Sequence, residues 1–255
     1  MQNKYVADIG DFGKFQLFRY LFNHRQSVFN GKQLSQIWFM HKGEGESNND
    51  GRHVDYFSRV QGSDVALENA LIDILNTNAR DVTEFEKRNL LHNTCYFYDE
   101  VPKTLEKRYA WLQDALAFSD KCHVVAVEPD NGMALKCQRN ERSFLHLSLT
   151  EHHRQKNTPH KYIFSDEVAH FYQLSHVEIC IVYQHLSRCF SHNEQIDALL
   201  RGLNTQYHHT LAIKHKPYSP RVFFFLCKSE AIRDSLHHRL TEFAREHHDF
   251  WEVFT

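Results

Sequence analysis

Apolar residues recur at helical spacing in several segments of the chain. Residues 12–23 show this spacing directly after Asp11, a residue type that commonly caps helices, and Asp11 is therefore predicted to be the N-cap. The same spacing predicts further helices over residues 64–76, 84–91, 103–118, 165–174, 193–203 and 229–246. Only 9 Gly and 5 Pro interrupt the 255 residues, which favours long helices joined by few tight turns.

Short, continuous apolar runs separate these helices and predict buried strands. The runs cover residues 34–41, 95–98, 122–128, 178–184, 211–214 and 221–227. The last two flank the turn sequence at residues 216–220 and predict an antiparallel hairpin near the C-terminus. Strands that alternate with helices are typical of a mostly parallel sheet with helices on both faces. We therefore expect a single α/β domain over residues 1–255.

The composition is that of an ordinary folded domain, with 42% hydrophobic and 24% charged residues and a formal net charge of −2. No run of eighteen apolar residues occurs, so we expect no membrane span and a cytoplasmic location. The six widely spaced cysteines are interpreted as reduced core residues. Residues 136–161 carry six Lys or Arg, two Glu and four His, and they are predicted to be a basic insertion that contacts nucleic acid.

Polar segments follow the predicted strands, and ligands of open α/β sheets bind at the carboxyl ends of strands. The first segment contains His41, Gly43, Gly45 and Asp50. Its glycines would let the backbone approach a bound nucleotide or nucleoside, although a flexible acidic loop fits the same string. Asp50 is alternatively the cap of a following helix.

A second polar segment follows the strand at 122–128 and contains Glu128, Asp130 and Asn131. Carboxylate and carbonyl oxygens at a strand end can accept hydrogen bonds from an exocyclic amine or hold a hard cation. The string at residues 129–132 is also good turn sequence, so a plain turn is the alternative. The third segment, after residue 184, offers His185.

Lys14 lies about one turn into the first predicted helix. A cation near a helix N-terminus opposes the helix dipole, so Lys14 requires an anionic partner. Three partners are possible: Asp11, a carboxylate at the sheet edge, or the carboxylate or phosphate of a ligand.

The order of these motifs resembles that of the bacterial large-subunit ribosomal RNA adenine methyltransferases. Asp11-Phe-Gly-Lys14 resembles the Asp-x-x-Lys string at the start of that family, and His41-Lys-Gly-Glu-Gly45 resembles its His-Ala-Gly-Ala-Gly string. Glu128-Pro-Asp-Asn131 stands where the family has Asp-Pro-Pro-Tyr. The chain resembles still more closely a bacterial family without an assigned activity that has Asp-Ile-Gly-Asp-Phe-Gly-Lys, Asn-Asn-Asp-Gly, Pro-Asp-Asn-Gly and Tyr-Gln-His strings.

The methyltransferase resemblance implies a Rossmann-like, methyltransferase-type sheet that binds S-adenosylmethionine and acts on nucleic acid or a nucleotide. It implies cofactor-binding roles for Lys14, His41, Gly43, Gly45 and Asp50. It implies catalytic roles for Glu128, Asp130, Asn131 and His185. The chain departs from the family at the position of the aromatic residue that stacks on a flipped base, because Asn131 stands there and neither Asp130 nor Asn131 can stack. Glu44 and Glu46 are a second departure, because they place acidic groups near the cofactor's carboxylate.

A metal-dependent nuclease or phosphodiesterase is the alternative enzymatic prediction. Six acids that could surround Mg²⁺ or Mn²⁺ motivate it: Asp8, Asp11, Asp50, Asp55, Glu128 and Asp130. A third, non-enzymatic interpretation is a nucleic-acid-binding module that uses residues 136–161. The net charge of −2 disfavours it, since phosphate-binding surfaces usually bring a basic excess.

Overall fold

The computed structural model describes residues 2–41, 51, 53–60, 62–138, 143–187, 190–218 and 220–255. Within them the strands are β1 (Leu34–Trp38), β2 (Thr94–Phe97), β3 (Val124–Glu128), β4 (Gly132–Met133), β5 (Leu135–Gln138), β6 (Ser143–His146), β7 (Tyr162–Ile163), β8 (Ile179–His185), β9 (Thr210–His215), β10 (Arg221–Cys227) and β11 (Trp251–Phe254). The α-helices are α1 (Ile9–Phe18), α2 (Phe57–Val60), α3 (Val65–Asn76), α4 (Thr83–Lys87), α5 (Leu105–Ser119), α6 (Leu149–His152), α7 (Ser165–Gln173), α8 (His192–Tyr207) and α9 (Glu230–Glu246).

Seven strands form the main sheet in the order β2-β1-β3-β8-β10-β9-β11. β1 pairs in parallel with β2 and β3, and β3 pairs in parallel with β8. β10 is antiparallel to both of its neighbours, and β11 is antiparallel to β9. The predicted mostly parallel α/β sheet is therefore confirmed. The antiparallel hairpin of β9 and β10 lies inside the sheet, and β11 is an additional edge strand that the apolar pattern did not predict.

Helices cover both faces of this sheet. Side chains of α1, α3 and α9 pack on one face, and side chains of α5, α7 and α8 pack on the other. Alternate residues of each strand enter the two cores, as β1 shows by placing Ile37 in one core and Trp38 in the other. Burial on both faces explains why the strands are continuous apolar runs. Among the described residues, no helix has the length and apolar character needed to cross a bilayer.

The first helix begins earlier than predicted. Asp8, not Asp11, is the N-cap of α1, because its Oδ1 accepts hydrogen bonds from the backbone N–H groups of Gly10 and Asp11. Asp11 instead lies in the first turn with its side chain buried. A π-helical turn, Arg19–Asn23, continues the helix.

The predicted basic insertion lies in a small lobe between β3 and α7. Its described part contains a β5–β6 hairpin, helix α6 and a two-residue parallel pairing of β4 with β7. Arg108 of α5, fully buried, donates to the carboxylate of Glu167 in α7 at 2.7 and 2.8 Å. The same guanidinium donates to the carbonyls of Pro159 and Tyr162 at 2.9 and 2.6 Å. One buried ion pair thus fastens the lobe to two helices of the main domain.

We expect Arg108→Met to lower the free energy of unfolding by about 3–5 kcal/mol, because Glu167 would remain buried without its cation. Urea denaturation followed by circular dichroism measures this change. Arg233→Met is the control, since it removes one partner of the surface pair with Asp234 and should have a far smaller effect. Equal effects of the two substitutions would contradict the anchoring role of Arg108.

Candidate functional site

A cleft of about 330 Å³ opens at the carboxyl ends of β3 and β8. It lies beside the point where the strand order reverses, since β1 has β2 on one side and β3 on the other. In open α/β sheets such a switch point is the usual place for a ligand. The first turns of α1 and the first residue of β10 complete the walls.

Lys14 joins helix α1 to the edge of the sheet. Its Nζ donates to Asp11 Oδ1 at 2.7 Å and lies 2.9 and 3.2 Å from the two carboxylate oxygens of Glu128. The ammonium also lies 3.9 Å from the centroid of the Trp38 ring. Gln36 Nε2 donates to Glu128 Oε2 at 3.3 Å. Of the partners predicted for Lys14, Asp11 and a sheet-edge carboxylate are therefore both present.

These contacts make two carboxylates share one ammonium in a buried place. Burial raises the pKa of Asp11 to about 7, although the charge of Lys14 opposes this rise, and the negative charges of Asp8 and Glu128 add to it. A carboxyl with that pKa exchanges a proton near neutral pH. Within the cluster of Asp11, Lys14 and Glu128, the carboxyl group of Asp11 can therefore bind or release a proton beside the cleft.

Asp130 belongs to a second network. Its Oδ2 lies 3.1 Å from His41 Nε2 and 3.8 Å from Lys161 Nζ, and Gln2 contacts the same ring nitrogen of His41 at 3.4 Å. Burial alone would raise the pKa of Asp130, but the hydrogen bond with His41 and nearby positive charge hold that pKa well below its usual range. Asp130 lines the cleft as a carboxylate, whereas His41 is buried and supports it from behind.

A side chain of β8 holds the segment that follows β3 in place. Gly132 has a φ of +93°, and a Cβ there would collide with the side-chain amide of Gln184. That amide accepts a hydrogen bond from the Met133 N–H at 2.7 Å and donates to the Asn131 carbonyl at 3.3 Å. Residues 130 and 131 form a bend between β3 and β4, and residues 129–131 also line the cleft.

Arg221 was not among the predicted site residues, yet it lines the cleft together with Tyr183. They lie on neighbouring antiparallel strands, on the face that α1 covers, because Phe223 pairs with Tyr183 and both pack toward the core on that side. Within the described residues, no side chain or carbonyl bonds to the Arg221 guanidinium, and its Nε is buried without a partner. The sequence feature that could have indicated Arg221 is its position as the charged first residue of an otherwise apolar strand.

The structure brings most of the predicted residues to this cleft. They are Asp8, Asp11, Lys14, Glu128, Asp130, Asn131 and His185. Asp55 is exposed and does not line it. Gly43, Gly45 and Asp50 lie outside the described residues, so their predicted roles stay predictions.

The expected contact of Lys14 with a cofactor carboxylate does not fit this geometry, because Asp11 and Glu128 already occupy its ammonium. The carboxylates of the alternative metal site also have other partners within the protein. Asp8 accepts from backbone N–H groups, Glu128 binds Lys14, and Asp130 binds His41. Within the part of the chain that is described, no cluster of three His, Cys, Asp or Glu has the arrangement of a metal site.

Comparisons with protein-family models, curated proteins and solved structures found no match to this chain.

Asp11→Asn tests the proton-binding group. The folded-state pKa of about 7 exceeds the ordinary value of 3.8, so Asp11 stabilises the fold fully below about pH 4 and loses that contribution as the pH rises through 7. Relative to the variant, wild-type unfolding free energy should therefore fall between about pH 4 and pH 8 in urea titrations.

Asp81→Asn is the matched control. A hydrogen bond from Thr83 lowers the pKa of Asp81, so its contribution is present above the ordinary value and is lost only in more acidic solution. Its difference from wild type should stay flat over the same range. An equally flat difference for Asp11→Asn would contradict the raised pKa.

Proposed function

We propose that this protein is a methyltransferase-like enzyme that binds S-adenosylmethionine and modifies a nucleic acid or nucleotide. The observation that carries the proposal is the position of Glu128. This carboxylate ends a central parallel strand, is held in place by Lys14 and Gln36, and lines the cleft together with Pro129.

The architecture supports this proposal. The mostly parallel sheet with helices on both faces is consistent with the Rossmann-like sheet that the methyltransferase resemblance implies, and the Rossmann-like assignment is part of the proposal. A cleft of about 330 Å³ lies at the lower end of the range for small-molecule sites. Its carboxylates also fit a ligand with positive charge, as a sulfonium cofactor has.

The geometry of Glu128 suits an acceptor amine. When bound, S-adenosylmethionine supplies an electrophilic methyl group. Glu128, with its side chain 14% exposed, would accept an N–H hydrogen bond from the amine and so direct the nitrogen lone pair toward that methyl group. Lys14 and Gln36 fix the carboxylate before the acceptor arrives, which preorganises this contact.

The basic lobe supports a nucleic acid or nucleotide as the acceptor. The lobe begins directly after the cleft residues of the segment that follows β3, and the Asn131 N–H donates to the Lys161 carbonyl at 2.9 Å. Lys136 and Arg154 are exposed on it. These cations supply positive charge of the kind that binds phosphate groups.

Glu128→Gln separates cofactor binding from chemistry. We expect calorimetry to show similar affinity of the wild type and the variant for S-adenosylmethionine. Transfer of a labelled methyl group to total RNA or mixed nucleotides should fall about 100-fold or more, because an amide orients the amine less well than a carboxylate. Glu106→Gln, at an exposed position of α5, is the control. Absence of binding heat at millimolar cofactor would overturn the proposal.

A further inference from the structure

The guanidinium of Arg221 lies in the cleft without a bonded partner among the described residues, and its Nε is shielded from solvent. A guanidinium keeps its charge and has five donors in a fixed fork. Leaving the buried Nε unsatisfied is costly, so the position favours a ligand that accepts a hydrogen bond from it. Arginine forks match the two oxygens of a carboxylate or phosphate.

Gly10 makes room for this guanidinium. A Cβ at residue 10 would collide with Nη1 of Arg221 and would also lie 2.9 Å from Oδ1 of Asp8. Arg221 and Asp8 therefore meet next to Gly10, although within the described chain they form no ion pair. Instead, Oδ1 of Asp8 accepts hydrogen bonds from backbone N–H groups of α1.

The remaining charges around Arg221 narrow the ligand class. Asp8, Asp11 and Glu128 act electrostatically on Arg221, and Tyr183 and His215 are further ionisable neighbours. A phosphate with two negative charges would face these carboxylates at short range. A zwitterionic ligand instead has one carboxylate that can bind Arg221 and one ammonium group that is attracted to the neighbouring carboxylates.

We infer that Arg221 anchors the α-carboxylate of an amino-acid-bearing ligand, with the Tyr183 hydroxyl as a second donor and Asp8 facing the α-ammonium. The inference rests on the proposed function for the nucleoside part of the ligand, since S-adenosylmethionine carries an α-amino-acid end. It assigns to Arg221 the anchoring role that sequence reasoning gave to Lys14.

Calorimetry with two nucleosides tests the inference on the wild-type protein. S-adenosylhomocysteine carries the amino-acid end, and 5′-methylthioadenosine lacks it. We expect the second compound to bind about 10- to 100-fold more weakly, as the loss of a charge-assisted hydrogen-bond pair implies. Equal affinities would overturn the inference and leave the proposed function standing.

Two variants connect that difference with Arg221. Arg221→Gln removes the fork, and Gly10→Ala displaces it while adding a residue that favours helix. Both should bring the two affinities together. Gly202→Ala, in α8 beside His146, is the matched control and should keep them apart. A difference that persists in both variants would overturn the assignment to Arg221.

Further probes distinguish the two proposals. If neither nucleoside binds but L-methionine binds the wild type and not Arg221→Gln, the proposed function fails and the amino-acid site stands. If inorganic phosphate binds at Arg221 more tightly than L-methionine, the zwitterion assignment fails. If no probe binds, both proposals fail.

Discussion

The shared ammonium of Lys14 is the interaction on which the site depends. It binds Asp11 within its own helix and Glu128 at the end of β3, and it lies over the ring of Trp38. Charges removed from water in this way are tolerated only when every partner is present. The cluster therefore fixes α1 against the carboxyl edge of the sheet, and that position in turn sets where Asp8 and Gly10 meet the cleft.

The close packing at Gly10 follows from this fixed helix. Because α1 lies tightly on the sheet, the side chain that opens β10 has space only where the helix lacks a Cβ. Gly13 repeats the arrangement one turn later, where a Cβ would collide with the ring of His215. The two glycines thus let α1 approach β9 and β10, and only Arg221 of the two neighbouring side chains lines the cleft.

The fold was largely predictable from the sequence. Strands buried on both faces appear in it as continuous apolar runs, and helices buried on one face appear as periodic apolar positions. The edge strand β11 was missed because Trp251–Phe254 is only four residues long. The cap of α1 was assigned to Asp11, since sequence alone does not show that this carboxylate binds Lys14 and leaves capping to Asp8. The rule that ligands bind at the carboxyl ends of strands located Glu128 and Asp130.

The rule that ligands bind at the carboxyl ends of strands did not identify Arg221, and the reason is topological. β10 runs antiparallel to β8, so the edge at which the parallel strands end is the edge at which β10 begins. Its first residue therefore faces the same cleft as the last residues of its neighbours, and Arg221 pairs with His185 in register. In a mixed sheet, the first positions of antiparallel strands can therefore contribute to a site at the carboxyl ends of the parallel strands. The strand order, which the linear pattern did not specify, is what brings this cation to the carboxylates of α1 and β3.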